Sequence, residues 1–164
     1  MRTLIVALGN EVMGDDGVGI KIGRVLKEKG YRVEELGTDI FSLQRVYQGE
    51  ERIIIIDAVL SENPGEVIHL KGEEVFSRLK AEIRSAHFMG AIEGLKLLMA
   101  LDERLRSGEI HFVGITIKEI KLGLELSESV ERAIPRAVKL VEEIADELPD
   151  STNLGNLPGV PAKK

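Results

Sequence analysis

Eleven residues, Gly9-Asn10-Glu11-Val12-Met13-Gly14-Asp15-Asp16-Gly17-Val18-Gly19, join the apolar run Leu4-Ile5-Val6-Ala7-Leu8 to a segment of helical character. A glycine-rich turn between a first strand and a first helix is the usual cradle of a phosphate. Here Asp15 and Asp16 stand where the phosphate would sit. They would repel it and attract a cation or a proton, so the turn fits metal or acid-base chemistry better than nucleotide binding. A further carboxylate, Asp57, closes four consecutive isoleucines at 53–56. A carboxylate there is costly unless it faces a polar crevice. Glu35, Thr38 and Asp39 follow from a second strand, and Ser85-Ala86-His87-Phe88 offers an imidazole just before a helix. Two of these carboxylates with the His87 imidazole would make a mixed oxygen-nitrogen set. With its remaining positions open, such a set suits nickel, zinc or another first-row divalent ion more than calcium or magnesium.

Plainer readings stand beside this one. Asp15 is a good N-cap for the first helix, and an acidic first turn also favours the helix dipole. Neither role needs both aspartates. His69 and His111 fall inside predicted strands and are read as structural, and Met13, Met89 and Met99 as packing residues. The chain has no His-Glu-x-x-His helix, no Gly-x-Ser-x-Gly elbow and no phosphate-binding loop ending in Gly-Lys-Ser/Thr.

The elements that must position these groups alternate along the chain. Strands are expected at 3–8, 31–36, 52–57, 66–70 and 109–115. Helices are expected at 16–29, 42–48, 73–83, 90–105 and 127–148, with 85–88 a loop. The strand at 66–70 follows the third strand too closely for a helical crossover, so a hairpin is predicted. Pro135 should kink or split the last helix. The pattern gives an α/β fold: three layers, a mostly parallel twisted sheet of about five strands with one antiparallel, and helices on both faces. In such sheets the site lies beyond the C-terminal ends of the parallel strands, which is where these carboxylates gather.

Residues 1–148 read as one domain, and 149–164, broken by Pro and Gly without periodicity, as a disordered tail. The 164 residues carry a net charge of −6, which disfavours nucleic acid. No apolar run approaches the ~20 residues of a membrane span. There is no cysteine, which removes disulfides and thiolate ligands and fits a cytoplasmic location.

The turn at 9–19 resembles the opening motif of the nickel-iron hydrogenase maturation endopeptidases. Ile53 to Asp57 with Ala58, Asn63-Pro64-Gly65-Glu66, Ser85-Ala86-His87 and Phe112-Val113-Gly114-Ile115 are similar to further family segments in order and spacing. The resemblance covers about residues 1–145. It implies an endopeptidase that removes the C-terminal extension of a hydrogenase large-subunit precursor after nickel insertion. It further implies that Asp16, Asp57 and His87 recognise the nickel presented by that precursor, with zinc or cadmium as substitutes. The chain departs from the family where many members have Asp-Gly-Gly-Thr and this one has Glu35-Leu36-Gly37-Thr38-Asp39, leaving Glu35 and Asp39 as possible catalytic replacements. A monomer is expected. The alternative is a nickel-sensing assembly factor that docks the precursor without cutting it.

Overall fold

The computed structural model describes residues 1–81, 84, 85 and 88–148, the side chains of 79–92 excepted. Five strands form the body of one sheet: β1 (Thr3–Leu8), β2 (Val33–Gly37), β3 (Arg52–Leu60), β4 (Val67–Lys71) and, after the two-residue β5 (Arg84–Ser85), β6 (Glu109–Ile117). Their order is β2-β1-β3-β6-β4, and β5 pairs with β3. β1, β2, β3 and β6 run parallel, whereas β4 lies antiparallel on β6.

Alternation along the buried strands sends their side chains to two cores. Ile5, Ala7, Ile54 and Ile56 pack under α1 (Val18–Glu28) and α6 (Glu128–Asp146). Leu4, Val6, Leu8, Ile53 and Ile55 pack under the other face. That face is covered by α2 (Leu43–Val46), α3 (Glu73–Ala81), α4 (Phe88–Leu101) and α5 (Glu103–Ser107). The three-layer expectation holds, and the apolar isoleucine run is a strand covered on both sides.

Four expectations are corrected. β4 does not form a hairpin with β3, because β6 lies between them and takes β4 on its outer edge. The connection from β3 to β4 steps across the end of β6 instead. It is fastened there by Ser61 N–H to the Ile117 carbonyl and Gly65 N–H to the Thr116 carbonyl, both 2.8 Å. β3 runs on to Leu60, so Asp57 lies within the strand and not at its end. The segment expected as one helix at 90–105 is two, because Asp102 turns out of helical geometry and caps α5 through the Arg104 N–H. Pro135 does not split α6, which is continuous from Glu128 to Asp146. Pro135 sits on the exposed side, where water can serve the carbonyl it cannot bond. The buried side, including Val130, Ala137, Val141 and Ile144, holds the helix on the sheet. The expected tail at 149–164 lies outside the described residues. Among the described residues no helix is long and apolar enough to cross a membrane.

A buried polar chain fastens the N-terminal half of the sheet. The Arg52 side chain, fully enclosed, donates to the Ile144, Ala145 and Glu147 carbonyls at the end of α6 and to Glu109 at 3.1 Å. Glu109 meets His111 Nε2 at 2.6 Å, and His111 Nδ1 meets His69 Nε2 at 2.9 Å. One hydrogen fits each contact when both imidazoles are neutral, His69 donating to His111 and His111 to Glu109. Burial holds both histidines below their ordinary value of 6.5, against the pull of Glu109 on His111 and of Glu147 and Glu74 on His69; Lys71 and, at His111, Arg52 add to the depression. Burial raises the Glu109 carboxyl, but the hydrogen bonds from His111 and Arg52 outweigh it and leave it below the usual carboxylate range.

A histidine depressed in the fold takes up its proton more readily when unfolded, so its contribution is present above the unfolded value. It is lost as the pH falls from about 6.5 towards the folded value. Glu109 adds a second loss only below its unfolded value of 4.5. The melting temperature should therefore begin to fall below about pH 6.5. The gap between wild type and His111→Gln should narrow over the same range. A gap independent of pH would show that this chain does not govern acid stability.

Candidate active site

The turn after β1 folds back on itself. Gly9 has φ +139°, and a Cβ added there would lie 2.5 Å from the Asp16 carbonyl oxygen, so only glycine fits. This close approach brings Asp16 beneath the strand end, where the Asn10 N–H donates to Asp16 Oδ2 at 3.2 Å. Asp16 sits in a 3-10 turn, Gly14–Gly17, and is almost fully buried. That turn packs against β3.

Asp57 is fully buried, and its Oδ1 accepts from the Ala58 N–H at 2.8 Å. Pairing between β1 and β3 stops at Ala7 with Ile56, so Asp57 is the first residue of β3 beyond its β1 partner. The chain leaves β1 towards β2 on one side and returns to β3 on the other. The crevice between β1 and β3 is therefore the switch point of the sheet, the expected place for a ligand. Asp16 comes to it from the turn and Asp57 from the strand. β5 pairs with Val59 and Leu60, so the chain comes back to β3 just beyond Asp57. The loop expected at 85–88 thus begins with a strand residue, Ser85, and ends in the first residue of α4.

His87 lies outside the described residues. Among the described residues no three His, Asp or Glu side chains are grouped to hold a metal ion. Asp15 is turned away from its neighbour. Its carboxylate accepts from the Ser127 N–H at 2.7 Å and the Ser127 hydroxyl at 2.8 Å. It therefore fastens the start of α6 and does not cap α1, whose N-cap is Gly17. Glu35 is exposed on β2 and pairs with Arg24 of α1 at 3.1 Å. Asp39 is exposed and caps the short turn Ile40–Ser42, accepting from the Phe41 N–H and the Ser42 hydroxyl, both at 3.0 Å.

Two residues, Asn10 and Arg24, brace the turn in ways the sequence reading did not assign. Asn10 braces the turn twice, since its own Oδ1 accepts from the Val12 N–H at 3.2 Å. Arg24 donates through both terminal nitrogens to Glu11, and this bond holds the Glu11 carboxyl below its ordinary range. An Asn at the second position of a tight turn is a visible signal. Arg24, thirteen residues from Glu11, gives none.

Comparison with known proteins places this architecture. The model of the HycI hydrogenase maturation protease family matches residues 19–144. The protein FrxA of Pyrococcus furiosus is 70% identical over 135 residues, covering 82% of this chain and 98% of its own length. The nickel-iron hydrogenase maturation protease HybD of Thermococcus kodakarensis has a solved structure of TM-score 0.86 at 65% identity, covering 89% of this chain and all of that one. The hydrogenase-maturating endopeptidase HybD of Escherichia coli gives a TM-score of 0.71 at 25% identity, covering 86% of this chain and 90% of that one. Sequence and strand order lead to one conclusion, that this chain belongs to the hydrogenase maturation protease family.

Proposed function

We propose that the protein is an endopeptidase that removes the C-terminal extension of a nickel-iron hydrogenase large-subunit precursor once nickel has been inserted. The observation that supports this reading is that two carboxylates are buried at the ends of neighbouring central strands, Asp16 in the turn after β1 and Asp57 on β3 just past its last β1 partner, in a member of this protease family. Nickel enters as part of the substrate. Asp16 and Asp57 offer oxygen ligands, and His87 is assigned the nitrogen ligand from the sequence motif. Without a thiolate, this set would hold nickel only moderately and engage it well when the precursor contributes ligands of its own. Loading would thus be checked before the cut.

Hydrolysis adds water across the scissile amide, giving a new carboxylate on the subunit and an amine on the released peptide. Either carboxylate, as general base, can take the proton from the attacking water. The enzyme acts in the cytoplasm as a monomer in this reading.

The test is to incubate the protein with purified precursor, with and without inserted nickel, and to weigh the products by mass spectrometry. Loss of a C-terminal peptide from the loaded precursor alone is expected. Cleavage of the nickel-free form would overturn the checkpoint. Binding without cleavage of a verified, loaded precursor would overturn the enzyme reading in favour of an assembly factor.

A further inference from the structure

The connections that leave the C-terminal edge of the parallel strands share a property that peptide hydrolysis does not require. Val12 between β1 and α1, Phe41 between β2 and α2, and Leu60 at the end of β3 are all substantially exposed. So are Ile120, Leu122 and Leu124 between β6 and α6, the last two 80% and 68% exposed. Among the described residues only four other large apolar side chains are as open: Met1, Leu148, and Leu97 and Leu101 on α4. The connections at the opposite edge, 29–32, 47–51 and 108, carry none. The open apolar side chains at that opposite edge are those of Met1, Leu101 and Leu148, at a chain end and at helix ends, so among the described residues six of the ten belong to the edge that carries Asp16 and Asp57.

The leucines stand on a fixed tip. The Gly123 N–H donates to the Val12 carbonyl at 2.8 Å, and the Gly14 N–H to the Gly123 carbonyl at 2.7 Å. Asp15 holds Ser127 a few residues on. Leu122 and Leu124 flank Gly123, so backbone bonds to the turn that carries Asp16 present them to solvent. Beside the tip is a cavity of about 230 Å³ lined by Gly14, Asp15, Lys121, Glu125 and neighbouring residues. The charges around the leucines alternate, Lys118 and Lys121 against Glu119 and Glu125, which favours neither a polyanion nor a polycation. Apolar side chains contributed by four separate segments thus stand at the edge of the sheet that carries Asp16 and Asp57. Only a partner of protein dimensions covers them together.

We infer that this apolar rim is the docking surface for the folded body of the large-subunit precursor, with Leu122 and Leu124 as its anchors. The inference rests on the proposed function. Ile40, beside Phe41, is buried in the core, whereas Phe41 is exposed. Docking on the rim would lay the C-terminal extension across the crevice and supply affinity that the few residues around the scissile bond cannot.

The test compares wild type, Leu122→Ser/Leu124→Ser and, as a distant control, Leu97→Ser/Leu101→Ser. Cleavage kinetics are measured on nickel-loaded, full-length precursor, and direct binding is measured in an Asp57→Asn background. The first double variant should raise KM by about 10-fold or more and weaken binding to match. Its kcat at saturation and its melting temperature should stay near wild type, and the α4 control should change neither. An unchanged KM, or a lost kcat with KM intact, overturns docking while leaving the enzyme reading in place. If wild type binds loaded precursor without cutting it, the enzyme reading fails by itself. Weaker binding by the Leu122/Leu124 variant would then still support the rim, and equal binding would refute it.

Discussion

Asp57→Asn should reduce precursor cleavage by about 100-fold or more and leave the melting temperature at or above that of wild type. Asparagine keeps the shape of the side chain and retains an oxygen to accept from the Ala58 N–H. What it removes is a negative charge at a fully buried position of β3. Taking a carboxylate out of water works against stability, so a residue kept for chemistry should lose no stability when neutralised. A purely structural carboxylate predicts the reverse, a loss of about 1–3 kcal/mol with cleavage retained. Asp16→Asn should behave as Asp57→Asn does. Asp15→Ala is the informative contrast: it removes the bonds that fasten Ser127 and should cost about 1 kcal/mol, with kcat close to wild type. Thermal unfolding and mass-spectrometric cleavage on the three variants separate the cases. Equal loss of activity in Asp15→Ala and Asp16→Asn would mean that the turn acts only as a unit.

The contrast between these neighbours also marks the limit of reading them from sequence. That one aspartate would serve a helix terminus was legible; that the terminus belongs to α6, 112 residues on, was not. Strand one and the isoleucine run were legible because continuous apolar β-branched sequence has few other uses. That Asp57 directly follows the isoleucine run was plain, but that the strand continues past it was not, because β6, which pairs with β3 through Leu60, lies far along the chain. Pairing partners are a different matter. Nothing local tells β4 that β6, made some forty residues later, will occupy the edge of β3. β5 has two residues, too few for any period to show. Pro135 misled because its ring was judged without its exposure: on the solvent side of a helix with a long buried stripe, one missing bond is tolerable. The His69–His111 pair was rightly left out of the crevice, but its link through Glu109 to Arg52 joins β3, β4, β6 and α6 and has no sequence signature.

The second large effect is expected at a residue with no chemistry of its own. Gly19, the second residue of α1, has ordinary backbone geometry, so conformational freedom is not why it is glycine. A Cβ there would lie 2.4 Å from the Leu8 carbonyl oxygen and 2.9 Å from that of Ile56. Both obstacles are backbone in the middle of the sheet and cannot swing aside. Reaching an ordinary contact of 3.4 Å from 2.4 Å would move the start of α1 by about 1 Å. Overpacking of this kind costs about 1–3 kcal/mol, sometimes more. The effect on catalysis should be larger still. Leu8 and Ile56 are the residues immediately before Gly9 and Asp57, and α1 grows directly out of the turn that carries Asp16. The same displacement therefore separates the two carboxylates, and a misplacement of about 1 Å can cost about 100-fold in rate. Gly30→Ala provides the comparison. Gly30 has φ +97° with nothing within 4 Å of the added Cβ, so it should cost about 1–2 kcal/mol through backbone strain alone, with kcat intact. If Gly19→Ala and Gly30→Ala lose stability alike and both keep full activity, the helix start does not set the spacing of the carboxylates. Loss of cleavage by Gly19→Ala at a temperature where it remains folded would show that the close packing of α1 on the sheet is what holds the site in register.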